Sequence, residues 1–454
     1  MEFSKLYCIF KEEERVLKKT LKKLIISIMV IALTLTAIAP ASVKAATAVS
    51  YITKEDFVKL VVKELKIKVD ESSSKHPYVD AAIRAGVMTK YTIGSKYNSY
   101  LTKGDAAVIL VNADIYLHGE TVSDELLQLI LSSRISDIKS VSSARRPYIA
   151  KAYALGFITG TSDGIYTRTR SMKVGQKISL STAKNLVSML NNKEKRSKIT
   201  DDGQLIRTTN LPEFAEFYPY ILADFPNSYY AWEFAYMQYM SSKGKPLYGT
   251  EYWVNLEDYA APKDFTKIGD GKPIWYNYNS GREKMTAKDV YDLCSDKWVA
   301  NAERYLNLVF NVNYKTLKAD KEWYKGIQET HWQYGNKDFE YNRLNNYIEA
   351  AIKNKTIIES KYIGVDKSSI YRCMDGTYIR AHVKYRIISS ESLERVALSP
   401  IIYTNFIYPY LEAVKLGEWR DSYFDIQVKS DYENCGIREA LISDYYHDNR
   451  VVFK

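Results

Sequence analysis

Between residues 50 and 190, apolar positions recur at helical spacing in short bursts, each opened by a hydroxyl residue or a proline. Ile52-Thr53-Lys54-Glu55-Asp56-Phe57-Val58-Lys59-Leu60, Leu101-Thr102-Lys103-Gly104-Asp105-Ala106-Ala107-Val108-Ile109-Leu110 and Ile178-Ser179-Leu180-Ser181-Thr182-Ala183-Lys184-Asn185-Leu186 are three such runs. Thr53, Thr102 and Ser179 stand where a hydroxyl accepts a hydrogen bond from an N–H of the first helical turn. Glu55, Asp56 and Asp105 place negative charge against the positive end of the helix dipole. Before the second and third runs comes a second pattern. Pro77-Tyr78-Val79-Asp80-Ala81-Ala82-Ile83-Arg84-Ala85-Gly86-Val87 recurs as Pro147-Tyr148-Ile149-Ala150-Lys151-Ala152-Tyr153-Ala154-Leu155-Gly156-Phe157. Gly86 and Gly156 fall where a left-handed helix cap is expected. Helix, glycine stop, loop and capped helix form one supersecondary unit used repeatedly. The pattern predicts a helical repeat domain over residues 46–192, with two copies and an extra N-terminal helix.

The pattern then changes. Asn191-Asn192-Lys193-Glu194-Lys195-Arg196-Ser197-Lys198 has no apolar period, so residues 193–204 are expected to be a linker. Aromatics crowd from Phe214 to Tyr239 at spacings that predict core faces of helices. Residues 242–284 carry the Gly, Pro, Asp and Lys of long loops. Thr286-Ala287-Lys288-Asp289 caps a long amphipathic helix reaching Phe310, and a second helix is predicted from Glu340 to Asn354. After it the period becomes two, predicting strands at Ile357–Val365, Ile370–Met374, Tyr378–Ile388, Ile401–Ile407 and Tyr423–Val428, with a hairpin turn at Asp375-Gly376. The expected fold class is therefore multidomain: an all-α repeat domain, then an α+β domain over 205–430 with helices packed on an antiparallel sheet. Residues 431–454 are expected to be a tail.

The N-terminus changes the picture of where the chain works. Lys18-Lys19-Thr20-Leu21-Lys22-Lys23 precedes an uncharged run from Leu24 to Ile38, then Val43-Lys44-Ala45. About fifteen apolar residues before a small-residue cleavage site predict a secretory signal peptide over 1–45, too short to span a membrane. The net charge is +10, and removing the eight Lys/Arg and four Asp/Glu of residues 1–45 leaves about +6. These charges are dispersed among acids without a basic block, which argues against nucleic acid and for a solvated, mildly cationic exterior suited to an anionic polymer. The 39 Tyr outnumber the 14 Phe, a composition shared by binding surfaces and by AT-rich genomes. Cys294, Cys373 and Cys435 lie beyond the signal at spacings that match no metal motif, and all three are expected as free thiols, with Cys435 exposed in the tail.

Candidate chemistry is sparse. His331, His382 and His447 lack metal-ligand spacing, so no metal or cofactor is expected. Cys373 and His382 fall on neighbouring predicted strands without a third orienting group, and Glu412, Glu418, Asp421 and Asp425 form no recognisable acid–base pair. No catalytic residue is assigned.

With those residues in view, residues 51–192 resemble the S-layer homology family of bacterial surface proteins. Its pattern is an aromatic or Pro-Tyr helix ending in Gly-Ile/Val, an Asp-Gly-Thr-Phe loop, then Ile/Leu-Thr-Arg-Ala-Glu opening a helix. Thr161-Ser162-Asp163-Gly164-Ile165-Tyr166 fits the loop and Leu101-Thr102-Lys103-Gly104-Asp105-Ala106-Ala107 the capped helix, while Leu180 departs from the pattern in the third run. The resemblance implies an exported cell-surface protein, of a Gram-positive bacterium, held noncovalently on secondary cell-wall polysaccharide or a peptidoglycan-associated polymer. It implies polysaccharide-binding positions at Lys54 and Lys103, which take the place of the family's arginine, with Thr53, Thr102 and Gly104 beside them. Free N–H donors at these helix ends would add to an anion site. The C-terminal half is then a binding or structural module; the alternative is a wall-anchored hydrolase acting on glycans or peptides.

Overall fold

The computed structural model describes residues 49–72, 74–89, 93–212, 215–230, 275–278, 283–318, 321–330, 337–373, 376–392, 415–430 and 435–442. The chain divides into two compact units, Met1–Tyr51 and Ile52–Lys454. The expected signal peptide and the strand expected at Ile401–Ile407 lie outside the described residues. Among the described residues no helix is long and apolar enough to cross a membrane.

The first half is built on helices α1 (Lys54–Glu64), α2 (Pro77–Arg84), α3 (Lys103–His118), α4 (Asp124–Ser133), α5 (Arg146–Ala154) and α6 (Leu180–Asn191). Thr53, Thr102 and Ser179 cap α1, α3 and α6 as their positions predict, each accepting from the N–H three residues on. At Thr102 the cap is reciprocal, because the Asp105 carboxylate accepts from the Thr102 N–H and hydroxyl. α3 is the central helix: its first nine residues after Lys103 are almost wholly buried. The domain is not purely helical. A short antiparallel pair, β1 (Thr161–Ser162) with β2 (Arg170–Ser171), closes the loop of the second copy.

Past α6 the chain stays on the helical unit. Arg196 inserts between the Asp114 carboxylate (2.6 Å) and the Met189 and Leu190 carbonyls, and its guanidinium lies over the Phe157 ring. Side-chain exposure of that ion pair is 7% for Arg196 and 1% for Asp114. Ser197 N–H donates to the Gly156 carbonyl, and Arg134 binds both the carbonyl and the carboxylate of Asp202. The 193–204 run is thus a strap fastened to the helical unit through Arg196, Ser197 and Asp202, while Lys193, Glu194, Lys195, Lys198 and Asp201 stay exposed.

The second half follows the expected order. A helix α7 (Asn227–Tyr230) is followed by a β3 (Trp275–Tyr278) and β4 (Glu283–Thr286) pair, α8 (Ala287–Val309), β5 (Val312–Asn313), α9 (Tyr314–Leu317), α10 (Lys321–Thr330) and α11 (Lys337–Lys353). Strands β6 (Ile357–Val365), β7 (Tyr371–Cys373), β8 (Gly376–Ser389), β9 (Arg420–Ser430) and β10 (Cys435–Ile442) come last. The antiparallel sheet runs β10-β9-β8-β6-β5, with β7 also paired to β8. Alternation on β8 separates two faces. Ile379, Ala381, Val383, Tyr385 and Ile387 join α8 in one core, while Tyr378 joins Tyr371, Tyr218, Phe225, Tyr229, Tyr230 and Tyr166 in another.

Two expectations fail here. Residues 435–442 are an edge strand rather than part of a loose tail, and Cys435 is 5% exposed rather than solvent-facing. Cys435 is bonded to Cys294 of α8, so the expectation of three free thiols is wrong. The reason is topological: β10 lies across α8, bringing the two Cα atoms to 5.3 Å, within the reach of a disulfide.

Candidate functional site

Three helix N-termini meet at one junction. The residues just ahead of the caps exchange backbone hydrogen bonds in a ring: Leu101 N–H to the Ile52 carbonyl (2.9 Å), Ile178 N–H to Leu101 (3.0 Å) and Ile52 N–H to Ile178 (3.2 Å). All three side chains are buried. The ring sets α1, α3 and α6 in an approximate three-fold arrangement, so corresponding positions can be compared directly.

The ring also consumes the helix-end donors. Lys54 N–H donates to Ser99 O and Glu55 N–H to Tyr97 O; Lys103 N–H donates to Gln176 O and Gly104 N–H to Val174 O. The next amides, of Asp56 and Asp105, go to the capping threonines. The free N–H donors expected from the sequence are therefore occupied, and any anion site at these corners must rest on side chains. Gly104 is explained by the same contact: a Cβ there would stand 3.2 Å from the Arg145 guanidinium and 3.3 Å from the Val174 carbonyl.

Lys54 and Lys103 occupy equivalent positions and differ in partners. The Lys54 ammonium donates to the Ile93 carbonyl (2.7 Å) and lies 3.4 Å from the Asp105 carboxylate, with its side chain 13% exposed. Asp105 is shared: its other oxygen accepts from Arg145 at 2.7 Å. Lys54 thus ties the first capped helix to the second. By the same three-fold step, the residue of α6 that corresponds to Asp105 is Thr182, which carries no charge. Counting back equally from the junction, Ile93 corresponds to Arg170, whose carbonyl already accepts from Ser136 N–H. Lys103 consequently has no hydrogen-bond or ion-pair partner among the described residues.

The surroundings of Lys103 are cationic. Burial pushes its pKa below the ordinary lysine value, the Lys173 charge pushes it further down, and Asp137 partly offsets both. Arg145 stands beside Gly104 at the same corner. Asp137 is itself committed. It accepts from the Met172 N–H (2.9 Å), the Lys173 N–H (2.8 Å) and the Ser171 hydroxyl (2.8 Å). Burial works to raise its pKa, but these three donors outweigh burial and hold it below the usual carboxylate value. The third corner carries Leu180, 37% exposed, where the others carry lysine. Of the residues singled out from the sequence, Thr53 and Thr102 act as caps, Gly104 permits close approach, Lys54 is an internal tie and Lys103 alone presents an unpaired cation. Sequence reading did not single out Lys173, Arg145 or Asp137. The missing acid at Thr182 was legible as the signal that frees Lys103.

Among curated proteins no match is found. Residues 134–168, which hold Asp137, Arg145, the second Pro-Tyr helix, Gly156 and the loop through Tyr166, match the S-layer homology domain. The helical half of the chain therefore carries a segment that matches the S-layer homology domain.

Proposed function

We propose that the protein attaches noncovalently to an anionic secondary polysaccharide of a Gram-positive cell wall after export. On this reading a single corner, Lys103 with Lys173 and Arg145, receives the acidic group of the polymer. An S-layer homology domain implies association with the cell surface or wall. The observation that carries the finer reading is the inequality of the three corners: one lysine is tied to Asp105 and Ile93, one position is leucine, and Lys103 has no partner. Placing a second cation beside a half-buried ammonium costs free energy that a bound anion returns, because the anion restores the charged form. Thr102 and Gly104 support the site by fixing the start of α3. Lys and Arg give point and fork contacts respectively, which suits a carboxylate or phosphate on a sugar. The sheet domain is the module so displayed, with a binding or structural role.

The test is co-sedimentation of the full chain with purified sacculi. The protein pellets with walls that retain their anionic polymer, does not pellet with walls stripped of it by hydrofluoric acid, and is released by salt. Equal retention on stripped walls would overturn the reading.

A further inference from the structure

The loop that carries Lys173 is gripped at its other end by the sheet domain. Tyr166, which the family pattern places at the end of the repeat's glycine loop, inserts between domains. Its ring packs edge-on to Phe225 (4.6 Å between centroids) and against Tyr362 (5.1 Å) and His382 (5.2 Å) of the sheet. The socket is shaped for it: a Cβ on Gly364 of β6 would lie 2.3 Å from the Tyr166 ring. Two residues on, the Arg168 guanidinium binds the Glu303 carboxylate of α8 and the Val365 carbonyl of β6. Between the two ends runs a continuous brace. Asp137 clasps Ser171, Met172 and Lys173. The Arg170 guanidinium joins the Thr159 carbonyl to the Asp224 carboxylate, and the Asp224 carbonyl accepts from Tyr166 N–H.

This segment is held under strain. Tyr166, Arg168 and Lys173 all have left-handed backbones, with φ of 59°, 54° and 49°. Such conformations are unfavourable for non-glycine residues and persist only where the surroundings impose them. A loop pinned at both ends has a relaxed alternative once either pin is removed.

We infer that Tyr166 and Arg168 are positioning residues for the polymer corner: docking of the sheet domain sets the loop that presents Lys173 beside Lys103. The inference rests on the proposed corner. Binding at the corner and docking of the sheet domain are then linked, each strengthening the other by the same factor.

The test measures affinity of the full chain for polymer-bearing sacculi. Gly364→Val, which fills the socket, and Glu303→Gln, which removes the Arg168 anchor, both change only the sheet domain. Each is expected to weaken binding about fivefold, the lower end of typical coupling. Tyr166→Phe should bind as wild type, since the buried Tyr166 hydroxyl has no partner among the described residues. Far-UV circular dichroism confirms which variants are folded, and Glu303→Gln, at a partly exposed carboxylate, serves if Gly364→Val is not. Lys103→Gln runs alongside. Loss of binding in Lys103→Gln with wild-type affinity in folded Glu303→Gln and Gly364→Val overturns the coupling alone. Wild-type affinity in Lys103→Gln overturns the corner and the coupling together.

Discussion

The two copies of the repeat share a sequence pattern and have been put to different uses. In the first, the glycine that stops the Pro-Tyr helix, Gly86, has φ +74° and open space beyond its Cα. In the second, Gly156 has the same φ, yet a Cβ would fall 2.0 Å from the Ser197 carbonyl. The lysine of the extra N-terminal helix, Lys54, is absorbed into the fold, that of the first copy, Lys103, is left unpaired beside another cation, and the second copy carries Leu180 at this position. Duplication supplies equivalent positions, and the non-local partners available to each decide whether a residue becomes structure or site. The second copy has gained both a strap and a docked domain, and it also holds the segment that matches the family.

The largest expected effect tests that divergence at the glycines. Gly86→Ala should cost about 1–2 kcal/mol, the price of a left-handed alanine in open space. Gly156→Ala adds a collision with the Ser197 backbone and should cost more than about 4 kcal/mol. Equal losses in urea denaturation would mean that the strap yields easily and the copies differ less than they look.

Next comes the strap itself. Arg196→Ala leaves the buried Asp114 carboxylate without its guanidinium, with His118 at 3.9 Å still beside it, and should destabilise by about 3–5 kcal/mol. The same substitution should open the 193–204 segment to proteolysis, and the intact chain should resist cleavage there. Cutting of the wild-type chain there would restore the linker reading. In the sheet domain, Cys294→Ser should cost about 2–5 kcal/mol, because the bridge closes a long loop. Thiol titration of the denatured, unreduced chain should leave Cys294 and Cys435 unreactive until a reductant is added.

A smaller effect concerns pH. The folded chain releases the Lys103 proton more readily than the unfolded chain does, so the charged form weakens folding. That penalty fades as pH rises through the window between the lowered folded value and 10.5. Lys103→Gln should therefore leave thermal stability at neutral pH unchanged or slightly raised. Wall binding should fade on alkalinisation at a lower pH than an ordinary lysine would dictate. Binding that persists to the ordinary lysine range would place the recognition elsewhere.

Much of this architecture is legible in local sequence. The caps at Thr53, Thr102, Ser179 and Thr286, the long helix from Ala287 and the strands expected at Ile357–Val365 and Tyr378–Ile388 follow from hydroxyl placement and period, the second strand starting two residues earlier, at Gly376. What escapes is non-local or irregular. β10 was hidden because a bulge between Ile437 and Glu439 breaks its alternation. α10 was hidden by Gly326, which is there because a Cβ would stand 2.7 Å from Leu308 of α8. At the corner, the lysines could be found from the pattern, but the ring of backbone bonds that occupies the helix-end donors joins residues from three separated runs. No periodicity reveals it. Tyr166 looked like an ordinary loop aromatic, since its socket is assembled from residues 225, 362, 364 and 382.

The comparison of the two lysines is decided most directly by measuring wall affinity and melting temperature together for Lys54→Gln and Lys103→Gln. Removing the Lys54 ammonium leaves the Ile93 carbonyl without its donor and Asp105 with fewer cations. It should cost about 1–3 kcal/mol of stability with wall binding retained. Removing the Lys103 charge should weaken wall binding about tenfold, the worth of one charge-assisted hydrogen bond, with the melting temperature kept. The opposite pattern, in which Lys54→Gln loses binding and Lys103→Gln loses only stability, would contradict the account.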